Sequence, residues 1–236
     1  MAEARLALVI GASGGIGRAL ADALVERGGH DQVVALSRRQ PEGWSGVHVP
    51  LDLTDEAMIA AGADRLHALG VPWTVIVASG ILHEGAIQPE KSYRTLSAET
   101  LQRLFAVNSI GPALVAKHLL PKMPRGERSV FAVLSARVGS IGDNRLGGWY
   151  GYRASKAALN MMVKSLAIEH RRSHPQAICV ALHPGTVATS LSGPFARSRD
   201  TLTPAQSAEA VLKVLDGLAP EQSGGFFAWD GQPIPW

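Results

Sequence analysis

Short apolar runs and longer amphipathic stretches alternate along this chain. Residues 6–10 are apolar without alternation, which is how a strand buried on both faces of a parallel sheet reads. Similar runs at 32–37, 46–51, 73–77, 129–134, 177–182 and 224–229 predict six more strands. Between them lie helical patterns. One runs from Arg18 to about Arg27, and one from Asp55 to Leu69 behind Thr54 as cap. One opens at Ser97 and runs to about Leu120, one starts near Tyr150, and one runs from Thr203-Pro204 to near Leu218. Residues 81–96 are polar and broken by Pro89, and read as a loop. Strands alternating with helices predict an α/β protein with one doubly wound parallel sheet, a single domain over 1–236.

Composition narrows the partners. The 236 residues carry a formal charge of +3, with scattered basic residues and no basic block, so no nucleic acid is expected. No apolar stretch approaches membrane-spanning length, and the N-terminus has too short an apolar core for a signal peptide. The one cysteine, Cys179, cannot form an internal disulfide, which fits a reducing, cytoplasmic location. No metal site is expected.

The first strand runs into Gly11-Ala12-Ser13-Gly14-Gly15-Ile16-Gly17 and then a helix. Strand, glycine turn and helix in direct succession suit a dinucleotide: the backbone can approach a pyrophosphate, and the helix N-terminus offers free N–H groups. About 20 residues after the glycines, sites that prefer NAD hold an acid. Here Ser37 stands at that place, followed by Arg38 and Arg39, which suit the 2′-phosphate of NADP. Asp52-Leu53, after the third strand, offers an acceptor for an adenine amino group. Ala78-Ser79-Gly80 leaves room for a ligand at the end of a central strand. Asn108 interrupts an apolar helical face, where it is either structural or the holder of a relay water. Tyr152 and Lys156 stand four residues apart, on one face of a helix. An ammonium beside a phenol favours the phenolate, which would make Tyr152 a usable proton donor to a developing alkoxide.

With these residues in hand, the chain resembles the short-chain dehydrogenase/reductases over essentially its whole length. The glycines match that family's Gly-x-x-x-Gly-x-Gly turn, and Asp52 matches its acid after the third strand. The helix around Asn108 matches its catalytic-Asn helix, and Tyr152 to Lys156 its Tyr-x-x-x-Lys. Pro184-Gly185-Thr186, continuing through Val187 to Thr189, matches the loop that backs the nicotinamide. Residues 148–156 are similar to the branch containing the C-factor and sniffer-type carbonyl reductases. The resemblance implies a Rossmann-type sheet of about seven strands in the order 3-2-1-4-5-6-7, and a homo-oligomer through the Tyr152 helix. It also implies hydride transfer between NADP(H), rather than NAD, and a small carbonyl or alcohol. Tyr152 would supply the proton, Lys156 would lower its pKa and bind ribose, and Asn108 would hold the relay water.

One departure stands out. Where the family has Ser-Ser after the fifth strand, this chain has Ser135-Ala136, so Ser135 or Ser140 would have to polarise the carbonyl. That departure keeps a second class open, an NADP(H)-binding regulatory or signalling protein with weak or no turnover. Residues 189–201, with Pro194 and Arg197-Ser198-Arg199, are read as the loop over the substrate, or else as a plain surface loop.

Overall fold

Successive side chains of a strand point to opposite faces, so a strand covered on both sides must be apolar throughout. In β1 (Arg5–Ile10), Leu6, Leu8 and Ile10 enter one core while Ala7 and Val9 enter the other. The same holds along β2 (Gln32–Ser37), β4 (Val71–Val77), β5 (Ser129–Leu134) and β6 (Ala177–His183); β3 (His48–Pro50) and β7 (Phe226–Ala228) close the two edges. The computed structural model describes residues 3–191, 193 and 201–236. Its seven strands pair in parallel in the order β3-β2-β1-β4-β5-β6-β7. The order reverses between β1 and β4, and the crevice for a ligand opens at that switch, beyond the carboxyl ends of the strands.

Helices α1 (Gly15–Arg27) and α6 (Pro204–Gly217) cover one face through Leu20, Leu24, Val211 and Leu215. On the other face α2 (Glu56–His67), α4 (Gly111–Leu119) and α5 (Tyr150–His170) bury Ile59, Leu66, Val115, Leu119, Leu159 and Val163. Each such side chain contributes ~1.5–3 kcal/mol by leaving water.

Several local expectations shift. Helix α1 begins at Gly15, earlier than Arg18, because Gly14 takes the extended cap conformation and the glycine turn itself supplies the first helical turn. Asp55, not Thr54, caps α2: its carboxylate accepts the Met58 N–H, while Thr54 is turned toward Asp52. The long helix opened by Ser97 is divided. It runs as α3 (Ala98–Phe105), a π-helical turn over Ala106–Ile110, α4, and a 3-10 turn over Leu120–Lys122. The wider π turn is where Asn108 sits. The C-terminal tail folds back: Ile234 is buried, the Trp236 ring stacks on Phe226 at 5.8 Å, and the Trp236 carbonyl accepts the Gly142 N–H at 2.8 Å.

Candidate active site

At the carboxyl end of the sheet the backbone makes room for a ligand. A Cβ on Gly17 would lie 2.2 Å from the Gly11 carbonyl oxygen, so α1 can start this close to β1 only with glycine there. No side chain caps the N-terminus of α1. Its first N–H groups, which have no intrahelical partner, face a groove of about 200 Å³ lined by residues 14–17 and by Tyr152 and Lys156. A Cβ on Gly80 would reach to 3.1 Å from Lys156 Nζ and 3.3 Å from Asn108 Oδ1, and would narrow the same groove.

One side of this groove continues into a cleft of about 320 Å³. Gly11, Ser13, Ser37, Arg38, Asp52, Leu53 and Ala78-Ser79-Gly80 line it. The Thr54 backbone N–H and hydroxyl, at 2.9 and 2.8 Å, hold Asp52 below the usual carboxylate range, with Arg38 assisting. The Ser37 hydroxyl is spent within the protein, donating to the Arg39 carbonyl at 2.7 Å. Arg39 is exposed and stands outside the cleft. Arg103 enters it instead, paired with Glu84 at 2.8 Å. No sequence signal marked that pair, because its halves lie on a loop and a separate helix.

On its other side the groove meets a cavity of about 600 Å³, which Ile16, Ser135, Ala136, Tyr152 and residues 183–187 help to line. Tyr152, Ser135 and Thr189 belong to both spaces, so they stand at the junction. The predicted substrate loop is described only at 189–191, 193 and 201; Ser192 and 194–200, with Pro194 and Arg197-Ser198-Arg199, lie outside the described residues. Its flanks are pinned together, with the Leu202 N–H donating to Thr186 and the Ala188 N–H to Leu202.

Helix α5 sets Tyr152 and Lys156. Gly147, Gly148 and Trp149 all have positive φ, and Trp149, at φ 51°, is the single non-glycine residue so placed among the described ones. Holding a tryptophan there is strained, and what holds it is Glu90. The Glu90 carbonyl accepts the Trp149 N–H, and its buried carboxylate accepts the Gly151 N–H at 3.2 Å. A negative charge at a helix N-terminus is stabilising. Glu90 therefore positions the start of the Tyr152 helix, a role no local pattern announced.

Tyr152 and Lys156 are both buried. Lys156 Nζ donates to the Leu134 carbonyl at 2.9 Å and lies 5.9 Å from the Tyr152 ring centroid. The expected lowering of the phenol is reversed here. Burial pushes Tyr152 up to about 12 and Lys156 down to about 8. Removing water disfavours both charged forms, and at this separation the ammonium does not offset it. Near pH 7 the phenol is protonated and able to donate.

Ser135 and Ser140 part company. Ser135 lies beside Lys156 in the groove and donates to Asn160 Oδ1 at 2.6 Å. Ser140 lies outside groove and cavity; its hydroxyl accepts the Asp143 N–H at 3.0 Å and shapes the loop after β5. The Ala136 methyl lines the cavity where the family's hydroxyl would stand. Asn108 is fully buried behind the groove. Its Oδ1 accepts the Ile81 N–H at 2.8 Å, and its Nδ2 donates to the Ile81 carbonyl and the Ser155 hydroxyl at 2.9 and 3.1 Å. It staples the end of β4 to α5. His183, unmarked in the sequence, also lines the cavity, with Nδ1 buried and unbonded; burial lowers its pKa to about 4, so it is neutral.

Comparison with known proteins agrees with this fold. A family model described as short chain dehydrogenase matches residues 5–200. The chain is 32% identical over 231 residues to 1-hydroxy-2-glutathionyl-2-methyl-3-butene dehydrogenase of Rhodococcus sp. (strain AD45), covering 97% of this chain and 98% of that one. It is 42% identical over 137 residues to C-signal of Myxococcus xanthus, which is 58% of this chain and 78% of that one. Among solved structures, NADPH-bound carbonyl reductase from chicken fatty liver superposes with TM-score 0.84 at 28% identity, over 100% of this chain and 96% of the other.

Proposed function

Because the chain belongs to the short-chain dehydrogenase family, a family of oxidoreductases, we propose that it interconverts a small carbonyl compound and its alcohol with NADP(H). The observation that carries this is the position of Tyr152, which lines both the groove at the α1 N-terminus and the apolar cavity. A donor there reaches whatever meets at the junction.

The residues present fit a dinucleotide. The uncapped N-terminus of α1 and residues 13–17 would hold its pyrophosphate, Arg38 its 2′-phosphate and Asp52 its adenine. Lys156 would bind ribose hydroxyls, and residues 184–187 would back the nicotinamide. When bound, that cofactor supplies or accepts the hydride. The chain does the rest. Tyr152 gives its proton to the oxygen of the reduced carbonyl, and its protonated state near neutral pH favours that direction. Ser135, which lines the groove, would donate to the carbonyl oxygen once its hydroxyl turns from Asn160. Asn108 and Glu90 act as positioning residues for α5. The expected homo-oligomer would use the same helix, whose Met161, Met162 and Ile168 are exposed; size-exclusion chromatography tests it.

Replacing Tyr152 by Phe should abolish aldehyde and ketone reduction while NADPH still binds, followed by cofactor fluorescence. Full turnover in that variant would end the proposal. Ala136 and the similarity to C-signal favour the alternative, an NADPH-binding regulatory protein. Tight NADPH binding with no turnover of any carbonyl would select it.

A further inference from the structure

The cavity beyond Tyr152 is mainly apolar, with Leu82, Val138, Leu146 and Trp149 in its wall, yet four charged side chains also line it. They are Arg137, Asp143, Arg145 and Arg153. Asp143 is taken by Arg137 at 3.1 Å. That leaves two guanidinium groups without a carboxylate among the described residues. Arg145 Nη1 donates only to the Gly142 and Asn144 carbonyls, at 3.0 and 3.3 Å. Arg153 donates through Nε and Nη1 to the Gly148 and Val138 carbonyls, at 3.0 and 3.3 Å. A guanidinium has five N–H donors in a fork suited to carboxylate, so each group keeps donors in reserve. Burial lowers the Arg153 pKa, and no anion among the described residues offsets that. Arg153 ties down the left-handed turn before α5. Arg145 is exposed on the loop after β5, bonded among the described residues only within its own loop, and is the freer of the two.

The cavity thus combines the buried Tyr152 and Ser135, which it shares with the groove, with apolar walls and a cationic end at the exposed Arg145. Resting on the oxidoreductase reading above, we propose that the substrate is an amphipathic oxo-acid or hydroxy-acid. Its reacting carbon lies at Tyr152, its body lies along the apolar wall, and a carboxylate remote from that carbon is received by Arg145, with Arg153 as the second cation. A neutral aldehyde or ketone of the same length fills the walls and leaves the cationic end unanswered.

The experiment compares matched substrates with NADPH in steady state: ω-oxo-carboxylates of six to ten carbons against the plain aldehydes of the same length. The wild type should prefer the acid by about ten-fold in kcat/KM, which is ~1.4 kcal/mol. The preference should shrink as salt is added, because an exposed pair is screened. Arg145→Gln should bring the acid-to-aldehyde ratio toward one, and Arg145→Glu should invert it. A wild-type ratio near one, or a ratio untouched by both substitutions, overturns the inference and leaves the oxidoreductase reading standing. If no carbonyl compound is reduced at all, that reading fails and calorimetry on the NADPH-loaded protein decides this one. Octanoate binding to the wild type and lost in Arg145→Gln would support the anion site; equal binding to both, or none to either, would overturn it.

Discussion

Lys156 should destabilise the folded protein that depends on it. Its side chain is 3% exposed, and its ammonium has one bond, to the Leu134 carbonyl at 2.9 Å. Burial takes it from 10.5 to about 8. At ~1.4 kcal/mol per pH unit, carrying that charge into the interior costs ~3 kcal/mol at pH 7, where both folded and unfolded chains hold the proton. Lys156→Met keeps most of the stem and removes the charge. It also leaves the Leu134 carbonyl without its donor, at ~1 kcal/mol. The net expectation for the cofactor-free protein is a gain of ~2 kcal/mol, or ~4–8 °C in Tm for a chain of this size. The pH dependence fixes the cause. The folded pKa lies below the unfolded one, so the folded state releases the proton first as pH rises. Wild-type stability therefore recovers between about pH 8 and 10.5, and the advantage of the variant fades across that window. Urea unfolding of both proteins at pH 7, 9 and 10.5 measures it, while turnover should be lost throughout. A variant less stable than wild type at pH 7, or a difference that does not change with pH, would refute the reasoning.

Arg38→Ala should raise the NADPH dissociation constant by about ten- to a hundred-fold with little effect on NADH, since a charge-assisted bond to the 2′-phosphate contributes ~1.5–3 kcal/mol. Arg39→Ala should do less, because Arg39 stands outside the cleft; fluorescence titration separates the two. In steady-state kinetics with one aldehyde, Ala136→Ser should raise kcat by returning a hydroxyl to the cavity wall, and Ser135→Ala should lower kcat more than Ser140→Ala does. His170 stacks on His174 at 3.9 Å, and burial, with the neighbouring imidazole assisting, lowers it from 6.5 to about 4. Its folded form resists protonation, so stability should hold above pH 6.5 and fall by up to ~1.4 kcal/mol per pH unit between 6.5 and about 4. His170→Phe should make that part of the curve less steep in urea unfolding, leaving the contribution of His183, which burial also lowers to about 4.

Much of this architecture was legible along the chain because the demands are local. A strand covered on both faces must be continuously apolar, and a helix start beneath a strand end must be glycine, as Gly17 is. These yielded the strands, the Tyr152–Lys156 spacing and the glycine turn, and the resemblance supplied the strand order. Boundaries read less well where a single side chain decides them. Asp55 displaced Thr54 as the cap of α2, and the π turn around Asn108 has no sequence mark.

What only the tertiary structure decided are meetings between residues far apart in sequence, and the water left around them. Glu90 at the start of α5, Glu84 on Arg103, and Asn160 on Ser135 join separate elements, and no periodicity encodes such a pairing. That Ser135 lines the groove and Ser140 does not was likewise set by the fold. The state of Tyr152 turned on desolvation, which overrides the nearby ammonium because Lys156 is bonded to a carbonyl and set back from the ring. Spacing fixes which side chains share a helix face; the charge they carry there depends on how completely the rest of the fold excludes water.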